Sequence, residues 1–332
     1  MAGCAAVLFA TATACGTVEN LTAGQKVDHA VDRLGEQKSL AFELGLDATP
    51  EALASLSGDA EPGEEMPEAF TEFITGLHID VTVKSRKALA DSGEKDLIGT
   101  SVQIAGSKGV LAEYRVVGDF MYYRADLQAV GDAMGLPFPT ADELPEEKKE
   151  FKSVLEGEWA KVDTRDLEKS GKGAGGSGGG DEIDAKTQRK IMKAVRGVIT
   201  DEVTFRNKSG GDGEHVVARA NFRDLLTGLF DKLRPLEGDL PPGAELPTAR
   251  DLKDAPNKKV AVDFKLKNGD LKQVRIDLAV LADKPNGAKL PLVLKFTEAG
   301  DVKAPSGAKE FPADALRDGN PLTAGLLGGG AL

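Results

Sequence analysis

Short runs in which apolar and polar residues alternate recur along most of this 332-residue chain. Side chains of a β-strand point alternately to its two faces, so each run predicts a strand with one apolar and one polar face. A sheet built from such strands must cover one face and can leave the other in water. The runs occupy residues 40–46, 77–83, 102–104, 110–116, 120–125, 203–205, 215–220, 260–266, 274–280 and 292–296, and a further strand is predicted to carry Trp159.

Segments with helical spacing lie between these strands and supply the cover. Thr22 can cap a helix in which Val27, Ala30, Val31 and Leu34 share one side. Further helices are predicted over residues 50–56, 67–74, 127–134, 146–155 and 222–233 and around residues 191–198. The predicted fold class is α+β: a single large curved antiparallel sheet, or half-barrel, with helices packed on its concave face.

The first fifteen residues have the character of an export signal. Residues 1–14 are almost wholly small and apolar, and the stretch is too short to span a bilayer as a helix. The sequence Ala12-Thr13-Ala14-Cys15 resembles the bacterial lipobox, whose cysteine is diacylated and becomes the new N-terminus. Ala12 stands where leucine is usual, and no Lys or Arg precedes the apolar run. We expect a lipoprotein-type signal peptide over residues 1–14, incomplete at its basic end, with a lipid on Cys15 and a tether over residues 15–21. The alternative is a buried N-terminal strand or helix with an incidental cysteine.

A glycine-rich stretch over residues 170–180 predicts a flexible linker inside the folded part of the chain. It contains GxGxxG at Gly171, Gly173 and Gly176. A dinucleotide-binding loop must join a strand directly to a helix, whereas charged residues flank this one on both sides, so we reject that interpretation. We expect one domain over residues 22–315 with the linker as an insertion, followed by a C-terminal tail over residues 316–332.

Composition argues against catalysis, metals and nucleic acid. Lys and Arg total 42 against 54 Asp and Glu, and a net charge of −12 repels phosphate backbones. The two cysteines, Cys4 and Cys15, precede the body, and His29, His78 and His215 lie far apart without metal-ligand spacing. Trp159 is interpreted as a core anchor, and the aromatic run 120–123 as edge packing rather than a stacking platform. We therefore predict no enzyme activity, no cofactor and no nucleic-acid partner.

The order of elements resembles the LppX/LprG-like mycobacterial lipoproteins, whose fold is similar to that of the LolA and LolB lipoprotein carriers. The resemblance spans residues 22–311. It rests on Cys15, on the opening helix with the strand KSLAFEL after it, on GDFMYYRAD (118–126), on EWAKVD (158–163) and on the final run from Leu292 to Ala308. This family implies a hydrophobic cavity between sheet and helices that holds acyl chains of lipids or glycolipids within the cell envelope.

The leading hypothesis is an extracytoplasmic, membrane-anchored lipid carrier. Its expected partners are acyl chains, the membrane through Cys15, and a further envelope protein. The alternative is an envelope protein-interaction or cell-wall-binding lipoprotein with a filled core and no lipid cargo. The residues predicted to line the cavity are Phe42, Leu44, Val81, Val83, Leu226, Phe230, Val262, Phe264, Ile276 and Phe296.

Overall fold

A computed structural model describes residues 22–57, 66–134, 140–143, 152–166, 185–208, 213–239, 246–285 and 287–311 of the chain. The predicted signal peptide, Cys15, the tether, the glycine-rich linker and the tail over 316–332 lie outside the described residues. The domain boundaries therefore stay predictions.

Twelve strands form one sheet in the order β12-β6-β5-β4-β3-β2-β1-β11-β10-β9-β8-β7. Neighbouring strands are antiparallel, except that β12 runs parallel to β6. The predicted α+β class with a single large sheet is confirmed, and the parallel pair is a departure from it. The strands are β1 Ser39–Leu46, β2 His78–Ser85, β3 Leu97–Gly106, β4 Gly109–Val117, β5 Phe120–Ala125, β6 Ala160–Asp163, β7 Thr204–Lys208, β8 Glu214–Asn221, β9 Lys259–Lys267, β10 Asp270–Asp277, β11 Pro291–Thr297 and β12 Lys309–Glu310.

Helices pack on one face of this sheet, which we call the inner face. The helix α1 lies against β7, β8 and β10, α3 against β1, and α4 against β4 and α3. The helix that follows β8 lies against β8 and the long helix before β7. The described α-helices are α1 Ala23–Glu36, α2 Pro50–Ala54, α3 Glu68–Gly76, α4 Leu127–Met134, α5 Lys152–Leu155, α6 Ala185–Glu202, α7 Phe222–Leu233 and α8 Ala249–Asp254.

Local signals fix the ends of several elements. Thr22 and Gln25 form the capping box that starts α1, because each side chain accepts a hydrogen bond from the other residue's backbone N–H. Asn268 and Gly269 take positive φ values of 55° and 79° in the tight turn between β9 and β10. The Asp277 side chain accepts hydrogen bonds from the N–H groups of Ala279 and Leu290.

Three details differ from the sequence prediction. The strand predicted over 274–280 ends at Asp277, because the capped 3-10 turn Leu278–Leu281 follows it. Trp159 directly precedes β6 rather than lying within it. Val31, expected on the packed side of α1, is exposed. Of the helix predicted over 146–155, the described part is Lys152–Leu155.

The segment between β11 and β12 crosses the opposite, outer face of the sheet. The Lys84 Nζ on β2 lies 2.6 Å from Asp301 Oδ1. Arg115 on β4 donates a hydrogen bond of 3.0 Å to the carbonyl oxygen of Lys303. The segment ends as β12, and the Phe311 N–H then donates to the Lys161 carbonyl oxygen at 2.8 Å. We call residues 298–308 the strap, because they connect the middle of the sheet to its β6 edge.

Substitution Leu266→Ala should lower the free energy of unfolding by about 2 to 5 kcal/mol, because it empties a well-packed site. Leu266 is fully buried in the cluster that joins α1 to the sheet. Urea unfolding followed by circular dichroism measures the change. The matched control Ile199→Ala, at a helix position 41% exposed, should change it by less than about 0.5 kcal/mol. Equal losses in the two variants would contradict this account of the core.

Candidate functional site

The inner face carries a continuous row of apolar side chains across nine strands. Directly opposed residues of neighbouring strands point to the same face, so the registers define the row. It contains, in sheet order from β8 to β5, Val216, Phe264, Val274, Leu294, Leu44, Ile79, Ile104, Ala112 and Ala125. Each strand contributes one residue, which makes this face apolar from one side of the molecule to the other.

Burial along this row is uneven. At one end Val216 is 0% exposed, under the α1 residues Val27 and Ala30. At the other end Ala125 is 1% exposed, in a cluster with Leu127 of α4. Between these ends, every residue of the row from β9 to β4 is half-buried. The inner face is therefore tightly packed at its two sides, where Phe264 and Val274 also pack against the α1 cluster. From β11 to β3, where α3 lies against β1, its side chains are half-buried.

The structure places the eight predicted strand residues on this one face. Phe42 is opposite both Phe296 and Val81, and its ring centroid lies 6.4 Å from that of Phe296. Val262 is opposite Ile276. The remaining three, Leu44, Val83 and Phe264, are an even number of positions from these residues along their strands and share their face. All eight are half-buried.

The two predicted helix residues, Leu226 and Phe230, lie one turn apart on α7 and are half-buried. Gly228 lies between them in sequence, and a Cβ built there would be 3.6 Å from Val198 of α6. Because residues two apart on a helix point in nearly opposite directions, Leu226 and Phe230 point away from α6. The role of all ten residues as a cavity lining stays a prediction.

The hairpin β3–β4 adds one inner-face residue, Tyr114, that sequence reasoning did not select. Tyr114 is 36% exposed. Tyr114 is opposite Val102 and Tyr123, which puts it on the inner face. The signal was present, since residues 110–116 alternate, but the exposure of this side chain depends on which helices reach β3 and β4.

The outer face carries a concavity with a volume of about 540 Å³. It lies over β10, β11, β1 and the start of β2. Arg275 Nη1 is 2.6 Å from Asp47 Oδ2, and Lys295 Nζ is 2.8 Å from Glu43 Oε1. We call this concavity the outer groove. It is lined by Glu43, Gly45, Leu46, Asp47, Thr75, Gly76, Leu77, His78, Gln273, Arg275, Val293 and Lys295.

The three histidines do not converge. His29 is exposed on α1, His78 lies at the outer groove, and the His215 Nδ1 is 2.7 Å from Asp263 Oδ1 on the outer face. Among the described residues, we find no group of three or more His, Cys, Asp or Glu side chains that could hold a metal ion together. Within the same residues, no helix has the length and apolarity needed to cross a membrane.

Trp159 takes part in a charged cluster rather than in an apolar core. The guanidinium carbons of Arg115 and Arg124 each lie 4.9 Å from the centroid of its ring. Both arginines also bind Glu113, which is 3% exposed, with Arg124 Nη2 at 2.8 Å from Glu113 Oε2. This cluster stabilises the part of the outer face beside the strap.

Comparison with known proteins adds similarity to solved structures. No family model matches the chain, and no curated protein matches its sequence. The chain is similar to the crystal structure of the Mycobacterium tuberculosis lipoprotein LppX, with 11% sequence identity over 84% of this chain and 97% of that one and a TM-score of 0.31. A superposition this loose does not assign the chain to a family, so the functional argument rests on its own residues.

Tyr123 should make the folded protein sensitive to alkaline pH. Burial raises the pKa of Tyr123, whereas a tyrosine in an unfolded chain ionises near pH 10. The folded state then holds this proton more tightly, so its contribution to stability is complete below about pH 10 and is lost as the pH rises further. Urea unfolding at pH 8 and pH 11 should show a smaller alkaline loss in Tyr123→Phe than in the wild type.

The matched control for that experiment is Tyr114→Phe, which removes the hydroxyl of the residue opposite Tyr123. Because Tyr123 is still present, this variant should keep the alkaline loss of the wild type. An identical pH dependence in Tyr123→Phe and the wild type would contradict the prediction.

Proposed function

We propose that this protein is an extracytoplasmic lipoprotein of the cell envelope that shelters the acyl chains of a lipid or glycolipid against the inner face of its sheet, as a carrier. The observation that carries the proposal is the half-buried middle of the inner face, between two tightly packed ends. Ordinary cores fill such a region to the density of an organic crystal. Loosely covered apolar side chains across many strands are instead typical of a surface that receives an apolar ligand.

The dimensions and chemistry of this region suit an acyl chain. From β11 to β3, beyond the residues that pack against α1, the row crosses three strand intervals of about 4.8 Å, or roughly 14 Å, which accommodates part of an extended fatty acyl chain. The predicted lining consists of Phe, Leu, Val and Ile side chains. Each methylene buried there contributes about 0.8 kcal/mol, so a long chain needs neither a cofactor nor a specific hydrogen bond to be retained. We propose no catalytic step.

The anchor in this proposal is Cys15. It precedes Thr22, the N-cap of α1, by seven residues, and the segment between them serves as the tether. At no more than about 3.6 Å per residue, the tether keeps the body within roughly 25 Å of the lipid. A carrier held at that distance stays close to the membrane that supplies or receives its cargo.

Filling the inner face should displace the cargo. Val81 is half-buried between Phe42 and Val102, so Val81→Trp should occupy the space of part of an acyl chain and reduce the lipid bound per protein at least about threefold. The neighbouring control Asp80→Trp places the same side chain on the outer face and should leave the lipid content unchanged. Mass spectrometry of solvent extracts from the purified proteins measures both values.

Absence of co-purifying lipid from the wild type would contradict the proposal, as would equal lipid content in wild type and Val81→Trp. Circular dichroism and thermal unfolding establish that both variants are folded before lipid content is compared. Protein partners that survive removal of lipid, without any lipid binding, would favour an interaction module with a filled core.

Loss of the anchor should release the protein. In cells, Cys15→Ala should move the protein from the membrane fraction to the soluble fraction and remove the mass of the attached acyl groups. The control Cys4→Ala alters the other cysteine and should leave the protein in the membrane fraction. Retention of Cys15→Ala in membranes would overturn the anchoring role of Cys15.

A further inference from the structure

One of the strand positions that line the outer groove, Gly45, has no side chain. Gly45 on β1 is opposite Val293 on one side and His78 on the other, and Val293 is in turn opposite Arg275. All four residues belong to the outer face. The missing side chain of Gly45 leaves a hollow between rows of long polar side chains. A Cβ built at Gly45 would be in van der Waals contact with the Leu77 carbonyl oxygen at 3.4 Å and the His78 Cβ at 3.6 Å, so the start of β2 bounds the hollow on that side.

The walls of the groove are electrically balanced. The Asp47–Arg275 pair stands at one end and the Glu43–Lys295 pair at the other. All four side chains are at least one-third exposed to solvent. Two cations and two anions already compensate each other, so a charged ligand would have to break a pair or leave its own charge without a partner. The groove therefore favours a ligand without net charge.

The ion pairs leave hydrogen-bond donors and acceptors unused, and hydroxyl groups of a ligand can bind to both. A guanidinium carries five N–H donors and an ammonium three, while a carboxylate offers about four acceptor sites, so pairing leaves donors and acceptors side by side. A hydroxyl can accept from the cation and donate to the anion of one pair at the same time. The amide of Gln273 and the imidazole of His78 also line the groove, and each carries both a hydrogen-bond donor and an acceptor. The volume of about 540 Å³ lies within the usual range of small-molecule sites.

We propose that the outer groove over Gly45 binds a neutral, polyhydroxylated ligand, that is, a sugar. This site is separate from the inner face and does not rest on acyl-chain binding. Its hydroxyls can belong to a free envelope glycan or to the headgroup of a glycolipid. The groove reaches the ends of β1 and β2, where Leu46, which belongs to the inner face, also lines it. A headgroup in the groove would thus sit beside the rim of the apolar face.

Titration of the labelled full-length protein with maltose, followed by amide chemical shifts, tests the site. We expect saturable shifts at Gly45, His78 and Arg275 with a dissociation constant in the millimolar range. Gly45→Leu fills the hollow and should weaken binding roughly tenfold. The control Gly93→Leu puts the same side chain where a Cβ would meet nothing within 4 Å, and it should bind as the wild type does.

Arg275→Gln is a second variant, chosen in case Gly45→Leu fails to fold. It removes the pair with Asp47 at a position that is already half exposed, and it should also weaken maltose binding several-fold. Absence of shifts at the groove, or wild-type affinity in both folded groove variants, would overturn the proposal. Stronger shifts of the same amides by inorganic phosphate than by maltose would overturn the inference that the ligand is neutral.

Dodecyl maltoside, used below its critical micelle concentration, distinguishes the two sources of the sugar. Tighter binding than maltose, with the advantage lost in Val81→Trp, would support a glycolipid headgroup in the groove. Equal affinity of the two probes would support a free glycan. In both cases the maltose shifts of the Val81→Trp variant should equal those of the wild type, so failure of acyl-chain binding and failure of the groove are read separately.

Discussion

The pairing register of the central strands is the constraint on which the rest of the structure depends. Because side chains alternate with a period of two, a slip of one residue in any pair would move the apolar set of that strand to the outer face. The observed registers keep Phe42, Val81 and Phe296 side by side and place Glu43, Asp80 and Lys295 together on the other face. The result is a wide sheet with an apolar inner face and a charged outer face. The inner face must be covered by apolar groups, and the charges of the outer face must be paired or solvated.

The inner face is covered unequally because few helices serve many strands. The helix α1 closes the side formed by β7, β8 and β10, and Leu127 with Leu155 closes the β5 side. Between them α3 lies against β1, and the large apolar side chains of these strands are half-buried. On the outer face, the strap covers part of the strands and ion pairs join neighbouring strands. Glu113 is buried there, and it is tolerated because Arg115 and Arg124 both hold its carboxylate, which leaves no unpaired charge.

The local sequence pattern predicts where strands and helices lie, but it does not predict which of them contact each other. The alternation and the capping residue Thr22 located the strands and the first helix, because both depend on residues close in sequence. The predicted lining residues of the strands also fall on one face, since the period of two fixes parity within each strand. The end of β10 was missed because the Asp277 carboxylate binds the N–H of Leu290, thirteen residues away. Trp159 was predicted as a core anchor because the proximity of two arginines from β4 and β5 cannot be read from the residues next to Trp159 in sequence.

The outer groove could not be foreseen for the same reason. Gly45 is one of 39 glycines, and in sequence it is only a small residue in an alternating run. The groove forms beside Gly45 because β11 and β10 lie next to β1. These strands bring Lys295 and Arg275 close to Gly45 from positions more than two hundred residues away in sequence. Leu46 follows Gly45 directly and therefore points to the opposite face. At the end of β1, Gly45 therefore lies in the polar outer groove while Leu46 belongs to the apolar inner face. An amphiphilic molecule with a neutral polar headgroup would fit this arrangement.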